Sequence, residues 1–305
     1  MRASTDSELA DSDGMTTVEI GALFRPQLPP ERLKSVVHTA QAAGLDQLWL
    51  WEDCFLESGI ATAATALAWS ETLKVGIGVL PVPFRNAALT AMELATIERL
   101  FPRRLIPGIG HGVQDWMAQV GAKVGSPLTL LREHLTVTRA LLAGERVDFH
   151  GRYVSLADVA LDWPPAAPMA VHAAAGGPKT LQLSGECSDG TVLTSGTTPD
   201  QVREAKLLID AGRAIAGRTD EHVITVYLIC ATGNEAHLRV EREVGLWNYD
   251  PDQDNRVAGD AHEVAAGVQR WIDAGADCVV LQPTLDEPDQ EGFVTFAAEK
   301  VKPLL

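Results

Sequence analysis

Basic residues are scarce in this chain. Its 305 residues include 25 Lys and Arg against 41 Asp and Glu, which gives a formal net charge of −16. Binding to nucleic acid or to an anionic membrane surface needs clustered positive charge, so this balance argues against both. The hydrophobic fraction of 46% and the charged fraction of 22% are typical of a folded protein of enzyme size.

Cysteine pairs and long apolar runs are also missing. The four cysteines are far apart in the sequence, with neither CxxC nor zinc-site spacing. Scattered thiols of this kind predict a reduced, cytoplasmic protein without a metal. No uncharged apolar run approaches the ~20 residues that a membrane span requires. Residues 1–14 are acidic and polar where a signal peptide is basic and then apolar, so they predict a disordered tail before a single domain over residues 15–305.

Several familiar catalytic signatures are absent too. The sequence holds no dinucleotide-binding GxGxxG, no phosphate-binding Walker loop, no GxSxG elbow and no HExxH motif. Asp250, Asp252 and Asp254 imitate the start of a calcium loop. However, Asn255 stands where that loop needs glycine, and Ala261 stands where it needs glutamate. This triplet is therefore interpreted as a solvated loop.

Apolar strand-like runs alternate with helix-period segments from residue 18 onward. The eight runs are VEIGALF, QLWLWED, KVGIGVLP, RLIPGIG, MAVHAA, GTVLTSG, HVITVYLICA and DCVVLQP. They are apolar throughout, as expected for parallel strands that are covered on both faces. Eight alternating units predict an α/β fold of the (β/α)8 TIM-barrel type with insertions.

Smaller signals support this division into units. Gly44 and Gly275 stand in matching helix–Gly–x–Asp–strand joints, which suits a left-handed helix stop. Asp260 and Glu263 have the spacing of a capping box. Two excursions, over residues 147–168 and 245–260, interrupt the pattern, and such segments generally cover or gate a barrel's site.

Two adjacent acids, Glu52 and Asp53, follow the second strand. Active sites of such barrels lie at the carboxyl ends of the strands, which makes both acids candidates for proton handling. Neighbouring strand residues point in opposite directions, so only one of the two faces the centre unless the chain turns. The alternative is a helix N-cap followed by a solvated acid.

Glycine alternates along the third and fourth strands, at Gly76 and Gly78 and again at Gly108 and Gly110. Glycine weakens a strand, so its use suggests that a flat ligand approaches the backbone across the barrel mouth. The alternative is tight packing of the barrel interior. His111 follows the second pair and is either a site residue or a hydrogen-bonded structural histidine.

A third candidate segment follows the fifth strand. Gly176 and Gly177 precede a helix that begins with Pro178 and Lys179. Backbone N–H groups at the positive end of a helix dipole suit a phosphate, and the lysine adds charge. An ordinary strand–helix turn has the same glycines.

Taken together, five segments resemble the bacterial luciferase-like superfamily, and within it the coenzyme F420-dependent reductases and dehydrogenases. They are GLDQLWLWEDCF, KVGIGVLPVPFRN, LIPGIGHGVQDW, AAGGPKTLQLSGECSDGTVLTSG and DAGADCVVLQP. The resemblance implies a barrel that holds a deazaflavin or flavin at its carboxyl face. It also implies a homodimer, and for a flavin enzyme a separate reductase that supplies the reduced cofactor.

The resemblance assigns roles to the residues of the second and third strands. Glu52 stands where the family has an aspartate that contacts the cofactor, and Asp53 stands where it often has a histidine that handles the proton. A non-prolyl cis peptide, expected as a bulge that backs the cofactor ring, maps to Gly78–Val79.

Later segments also match. His111, Gly112 and Trp116 match positions that approach the cofactor. The segment that holds its phosphate-bearing tail matches Gly176, Gly177, Lys179 and Thr180. Sugar-phosphate-oxidising relatives have an acid and a lysine where this chain has Val113 and Thr197, which argues against a sugar-phosphate substrate.

The leading hypothesis is hydride transfer between coenzyme F420 and a small organic substrate, with His111, Asp53 and Glu52 as candidates for proton handling in that order. One alternative is an FMN-dependent monooxygenase, and another is a cofactor-binding barrel without turnover. F420 is an anion with an acidic tail, and the sequence offers Lys179, Arg85 and a helix N-terminus as positive groups near it.

Overall fold

The computed structural model describes residues 18–305, so the predicted tail over residues 1–14 lies outside the described residues. Eleven strands are found within residues 18–305. They are β1 (Glu19–Phe24), β2 (Gln47–Leu50), β3 (Lys74–Pro81), β4 (Leu105–Gly110), β5 (Val147–His150), β6 (Ser155–Val159), β7 (His172–Ala174), β8 (Gly190–Leu193), β9 (Val223–Ala231), β10 (Arg256–Ala258) and β11 (Cys278–Pro283).

Eight of these strands form a closed parallel barrel in the order β1–β2–β3–β4–β7–β8–β9–β11. Pairing of β8 with β9 and of β11 with β1 completes the ring. Each of the eight predicted runs supplies one barrel strand, and β2, β8 and β11 are buried along their whole length. The predicted α/β TIM-barrel fold with insertions is therefore confirmed.

The helices surround the barrel. Within residues 18–305 they are α1 (Leu33–Ala42), α2 (Gly59–Ala68), α3 (Ala87–Leu100), α4 (Gln114–Gln119), α5 (Pro127–Leu142), α6 (Pro178–Cys187), α7 (Pro199–Ala216), α8 (Ala236–Leu246), α9 (Ala261–Asp273) and α10 (Gln290–Phe296). None of these described helices is long and apolar enough to cross a bilayer. The predicted helix signals are confirmed: Gly44 and Gly275 have φ of +72° and +108°, and Asp260 and Glu263 form a capping box.

Aromatic side chains fill the barrel interior. The Tyr227 ring lies edge-on to Trp49 at 5.6 Å and to Trp51 at 5.7 Å between ring centroids. Leu23 and Val280 pack against the same group, and all five side chains are buried. The interior is thus a packed core, and a ligand has room only at the mouth.

The strand glycines exist largely for this packing. A Cβ added at Gly76 would collide with the Trp49 indole, and one added at Gly78 would collide with the Tyr227 hydroxyl. The expectation that a flat ligand needs the bare faces of these two positions is therefore wrong, because side chains from β2 and β9 occupy the space. The alternative interpretation, tight packing of the interior, is correct.

The glycines of β4 are likewise covered from within the protein. A Cβ at Gly108 would lie 2.8 Å from Val79 Cγ1, and one at Gly110 would lie 2.6 Å from Val79 Cγ2. The register between β3 and β4 shifts between Ile77 and Leu80, so β3 bulges and Val79 covers both glycines. The peptide bond Gly78–Val79 is cis, as predicted from the family resemblance, and Cys54–Phe55 is also cis.

The two excursions take different positions. Residues 147–159 form the antiparallel hairpin β5–β6, whose tip is bound to α5 where Glu133 accepts hydrogen bonds from three backbone N–H groups. In the second excursion, β10 adds to the carboxyl half of β9, and the Tyr249 ring packs on Gly196 after β8. The Tyr249 hydroxyl also lies 3.2 Å from Ser195 Oγ. The second excursion therefore covers the mouth beyond the end of β8, where β9 continues and pairs with β10.

The packing of Gly78 against Tyr227 predicts a coupled pair of substitutions. Gly78→Ala should lower the free energy of unfolding by about 2 kcal/mol, as overpacking does. Tyr227→Phe removes a buried hydroxyl that has no hydrogen-bond partner within residues 18–305 and should be nearly neutral. Together they should recover about 1 kcal/mol of the loss, because the alanine methyl no longer meets the oxygen.

Denaturant unfolding of the two single variants and the double variant measures this coupling. Gly176→Ala is the matched control and should stay within about 0.5 kcal/mol of the parent, since no atom lies within 4 Å of its added Cβ. Strictly additive effects of Gly78→Ala and Tyr227→Phe would contradict the contact.

Candidate functional site

The predicted site residues come from the carboxyl ends of four strands that are neighbours in the barrel, β2, β3, β4 and β7. The fold therefore brings them to one side of the mouth. An open cleft of about 530 Å³ lies beside them, lined by the loop after β2 and by Phe84, Arg85, Leu89 and Glu93. A larger cleft of about 870 Å³ lies at the opposite end of the barrel, beside Ala170 and Asp189, which precede β7 and β8.

Glu52 is held inside the protein by both of its carboxylate oxygens. Its Oε2 accepts a hydrogen bond from the Gly59 N–H at the start of α2 (2.6 Å) and another from Arg85 Nη2 (2.7 Å). Its Oε1 pairs with Arg85 Nη1. Arg85 also contacts Glu93 at 3.3 Å. The arginine that the sequence suggested as a positive group for an anion is thus neutralised by two carboxylates.

Asp53 has a different environment from its neighbour. It is half-buried, and burial raises the pKa of its carboxyl, although the positive charge of Arg25 opposes that shift. Burial therefore makes the protonated form of this carboxyl easier to populate than it is in water.

Arg25 belongs to a buried ion pair that the sequence did not reveal. Its Nη1 lies 2.6 Å from Glu243 Oε1, and the exposed fractions of the two side chains are 4% and 2%. Glu243 also accepts hydrogen bonds from Trp247 Nε1 and from the Leu285 N–H, both at 2.8 Å. The pair joins the end of β1 to α8 and to the loop after β11, so it fixes the mouth on the side away from β4.

Glu57, in the loop after β2, is a further acid that the sequence analysis missed. Its Oε1 is buried without a hydrogen-bond partner among the described residues. Burial, together with repulsion from Glu31, raises the pKa of Glu57 to about 7. No motif marks this residue, because its unusual pKa arises from a contact between two loops.

The Gly78–Val79 peptide lies at the edge of the mouth. Both residues are half-buried, although the strand on either side of them is buried. The Cβ side of Gly78 is filled by Tyr227. Gly78 and Val79 therefore offer an accessible surface on the side of the strand that faces away from this ring.

His111 is oriented by a residue of the predicted phosphate segment. Its Nε2 lies 3.1 Å from Thr180 Oγ1, and its Nδ1 is buried without a partner among residues 18–305. Burial lowers the pKa of His111, and the Pro127 carbonyl, which lies near the ring, partly offsets that shift. Burial thus favours the neutral imidazole, in which one ring nitrogen carries a proton and the other can accept one.

Gly112 and Trp116 continue the same edge. Gly112 has φ of +69°, and a Cβ there would lie 2.9 Å from Pro81 Cβ, so this turn requires glycine for both reasons. Trp116 is half-buried on α4.

The segment before α6 is open in the way an anion site requires. Gly176 and Gly177 are exposed, and a Cβ added at either would have no atom within 4 Å. Within residues 18–305 no side chain caps the N-terminus of α6. Pro178 has no N–H and the Thr180 N–H bonds the Gly177 carbonyl, so the backbone donors left for a ligand here are those of Gly177 and Lys179. Lys179 is exposed on the first turn of this helix.

Further buried polar groups lack hydrogen-bond partners within residues 18–305, and they lie on barrel strands or directly after them. Trp51 Nε1, the Tyr227 hydroxyl, both amide atoms of Gln282 and the Thr284 hydroxyl are buried and lack hydrogen bonds within residues 18–305. Burial raises the pKa of Tyr227 far above its usual value. Strand alternation marks Gln282 as facing inward with Cys278 and Val280, and that signal was available in the sequence.

These observations fit a bound ring system with an anionic tail. The half-exposed Gly78–Val79 peptide, His111 and the N-terminus of α6 form the candidate site on this side of the mouth. Among the described residues, no group of three or more His, Cys, Asp or Glu side chains is arranged to hold a metal ion.

Comparison with known proteins agrees with the fold. The profile of the family described as "Luciferase-like monooxygenase" matches residues 11–278. The 5,10-methylenetetrahydromethanopterin reductase of Methanolobus tindarius is 30% identical over 211 residues, which cover 69% of this chain and 64% of that protein.

An F420-dependent glucose-6-phosphate dehydrogenase of Kineococcus radiotolerans is 28% identical over 321 residues, covering 92% of this chain and 94% of that protein. Among solved structures, an F420-dependent secondary alcohol dehydrogenase in complex with an F420–acetone adduct superposes with a TM-score of 0.82 at 18% identity. That match covers 95% of this chain and 98% of the other, and at this identity it supports the fold.

The environment of Glu57 predicts a pH-dependent term in stability. With a native pKa of about 7 and an unfolded pKa near 4.3, the native state binds the proton more tightly. Its contribution is therefore present at low pH and is lost as the pH rises from about 4.5 to 7. The unfolding free energy of the parent should fall relative to that of Glu57→Gln across this interval, as measured by denaturant titrations at several pH values. A difference that is constant from pH 5 to 8 would disprove the assignment.

The bonds of Glu52 predict a structural cost when its charge is removed. Glu52→Gln keeps an oxygen for the Gly59 N–H but leaves Arg85 with one carboxylate fewer, which should lower the unfolding free energy by about 2 kcal/mol. Asp254→Asn is the matched control, since Asp254 pairs with Arg270 on the surface and both side chains are 46% exposed. That control should cost at most about 1 kcal/mol. Equal losses in the two variants would mean that the Glu52–Arg85 pair is no more than a surface contact.

Proposed function

This chain belongs to the luciferase-like monooxygenase family, and from that premise we propose that it is an oxidoreductase that transfers a hydride between coenzyme F420 and a small organic substrate. The observation that carries the proposal is the open segment Gly176–Gly177 before the N-terminus of α6, on the same side of the mouth as the half-exposed Gly78–Val79 peptide. The similarity to an F420-dependent glucose-6-phosphate dehydrogenase supports the choice of cofactor.

The protein's own residues would hold the cofactor in two places. The ring would lie against Val79 and the Gly78–Val79 peptide, with Gly112 and Trp116 at its edge. The phosphate of its tail would accept hydrogen bonds from the backbone N–H groups of Gly177 and Lys179, close to the charge of the Lys179 side chain. Pro178 between them has no N–H to donate. Once bound, the deazaflavin supplies the hydride chemistry.

We propose that two groups handle the proton, and burial shifts their pKa values in opposite directions. His111 contacts Thr180 through Nε2, and burial lowers its pKa and so favours the neutral ring. Asp53 has a raised pKa and contributes a carboxyl on the β2 side of the mouth. Glu52 is occupied by Arg85 and the Gly59 N–H, so we propose that it positions α2 and the loop after β3.

A second candidate is an FMN-dependent monooxygenase, which the family's own description favours. Both cofactors would use the same surface of β3 and β4, and they differ in the tail. The homodimer, and for a flavin enzyme the separate reductase, stay predictions.

Cofactor titration tests the proposal. The purified chain is titrated with coenzyme F420 and with FMN, and binding is followed by fluorescence. We expect F420 to bind at least about tenfold more tightly than FMN, which corresponds to ~1.4 kcal/mol. Lys179→Glu should weaken F420 binding, whereas Lys300→Glu, which changes the net charge equally at the exposed C-terminal end, should not. Tighter binding of FMN would favour the monooxygenase, and binding of neither cofactor would refute both candidates.

A further inference from the structure

The net charge of −16 opposes the approach of an anionic cofactor, so unpaired cations near the site become important. The arginines around the mouth are already paired with carboxylates. These pairs are Arg25–Glu243, Arg85–Glu52, Arg239–Glu287, Arg242–Asp286 and Arg256–Glu241. The positive charge that binds an acidic tail must therefore come from other residues.

The tip of the β5–β6 hairpin supplies an additional cation. Arg152 is exposed, and its guanidinium stacks on the Tyr153 ring with Cζ at 5.1 Å from the ring centroid. It forms no salt bridge within residues 18–305. The ring contact restricts the side chain while its hydrogen-bond donors remain available, which suits the recognition of carboxylates or phosphates.

The tip itself is held rigidly. Glu133 on α5 accepts hydrogen bonds from the N–H groups of Arg152 (2.7 Å), Tyr153 (2.8 Å) and Val154 (2.9 Å). Burial alone would raise the pKa of Glu133, but these three bonds, together with the positive charge of Arg152, lower it. The carboxylate is therefore occupied by the backbone of the tip, and the position of Arg152 is fixed in advance.

A series of contacts joins this tip to the proposed cofactor site. Tyr153 Oη accepts a hydrogen bond from the Ser126 N–H at 2.8 Å. Ser126 precedes Pro127, the first residue of α5, whose carbonyl lies near the His111 ring. His111 in turn contacts Thr180 on the first turn of α6. The tip of the hairpin and the N-terminus of α6 thus lie on the same side of the mouth.

We propose that Arg152, on the inserted hairpin, binds the carboxylates of the cofactor's acidic tail beyond the phosphate site at α6. Lys179 is the first cation along the tail and Arg152 is the second. This subsite rests on the proposed F420 function, since FMN carries no such tail. It gives the hairpin insertion a role in cofactor affinity and provides the positive region that an acidic protein needs for an anionic ligand.

The test compares two ligands and two arginines. The intact cofactor and the same deazaflavin without phosphate and acidic tail are titrated against the parent, Arg152→Glu, Arg152→Gln and the control Arg146→Glu. Arg146 is exposed at the base of the same hairpin and pairs with Asp158, so its substitution changes the net charge equally. Thermal unfolding of each variant checks that it folds.

We expect Arg152→Glu to weaken binding of the intact cofactor about tenfold and Arg152→Gln about threefold, with no effect on the tail-free deazaflavin. Arg146→Glu should leave both affinities within about twofold, and added salt should reduce the loss in Arg152→Glu. If the parent binds the intact cofactor and the Arg152 variants bind it equally well, the tail subsite is wrong and the proposed function stands. If the parent binds neither ligand, both are overturned.

Discussion

The site depends on a packing constraint inside the barrel: large side chains of some strands fill the space that glycines leave on others. Trp49 and Tyr227 extend into the space that Gly76 and Gly78 leave on β3, and Val79 covers Gly108 and Gly110 on β4. Because the interior is filled in this way, no ligand enters the barrel. The same packing places the Gly78–Val79 peptide at the rim, half-exposed, where a flat ring has a surface to lie on. Glycine in these strands thus serves the ligand indirectly, by allowing the protein's own side chains to set the rim.

Electrostatics divide the mouth into two halves. On the side of β1, β2 and β11, the cations Arg25 and Arg85 are bound to Glu243 and Glu52, and unpaired acidity remains at Asp53 and Glu57. On the side of β4 and β7, the open N-terminus of α6 and Lys179 present positive potential. An anionic cofactor is therefore favoured on the second side. On the first side, burial raises the pKa of both carboxyls, and that of Glu57 reaches about 7.

Much of the fold was predictable because its signals are local. Continuous apolar runs marked all eight barrel strands, and glycine and capping residues marked the ends of helices. The hairpin excursion and the open Gly176–Gly177 segment were likewise visible in the sequence. Contacts between distant residues were not visible. Arg25 and Glu243 are 218 positions apart, and nothing local indicates that Arg85 is neutralised by Glu52 or that Tyr227 fills the space beside Gly78. The role of the glycines was misinterpreted for this reason, since a bare strand face looks the same whether a ligand or a side chain covers it.

A crystal structure of the chain with coenzyme F420 is the most direct measurement of whether the ring and the tail occupy these two places. The ring is expected to lie against Val79 and the Gly78–Val79 peptide within contact distance of His111. The phosphate is expected to accept hydrogen bonds from the backbone at Gly177 and the first turn of α6. Density for the cofactor at another part of the barrel, or a phosphate bound away from α6, would contradict this placement.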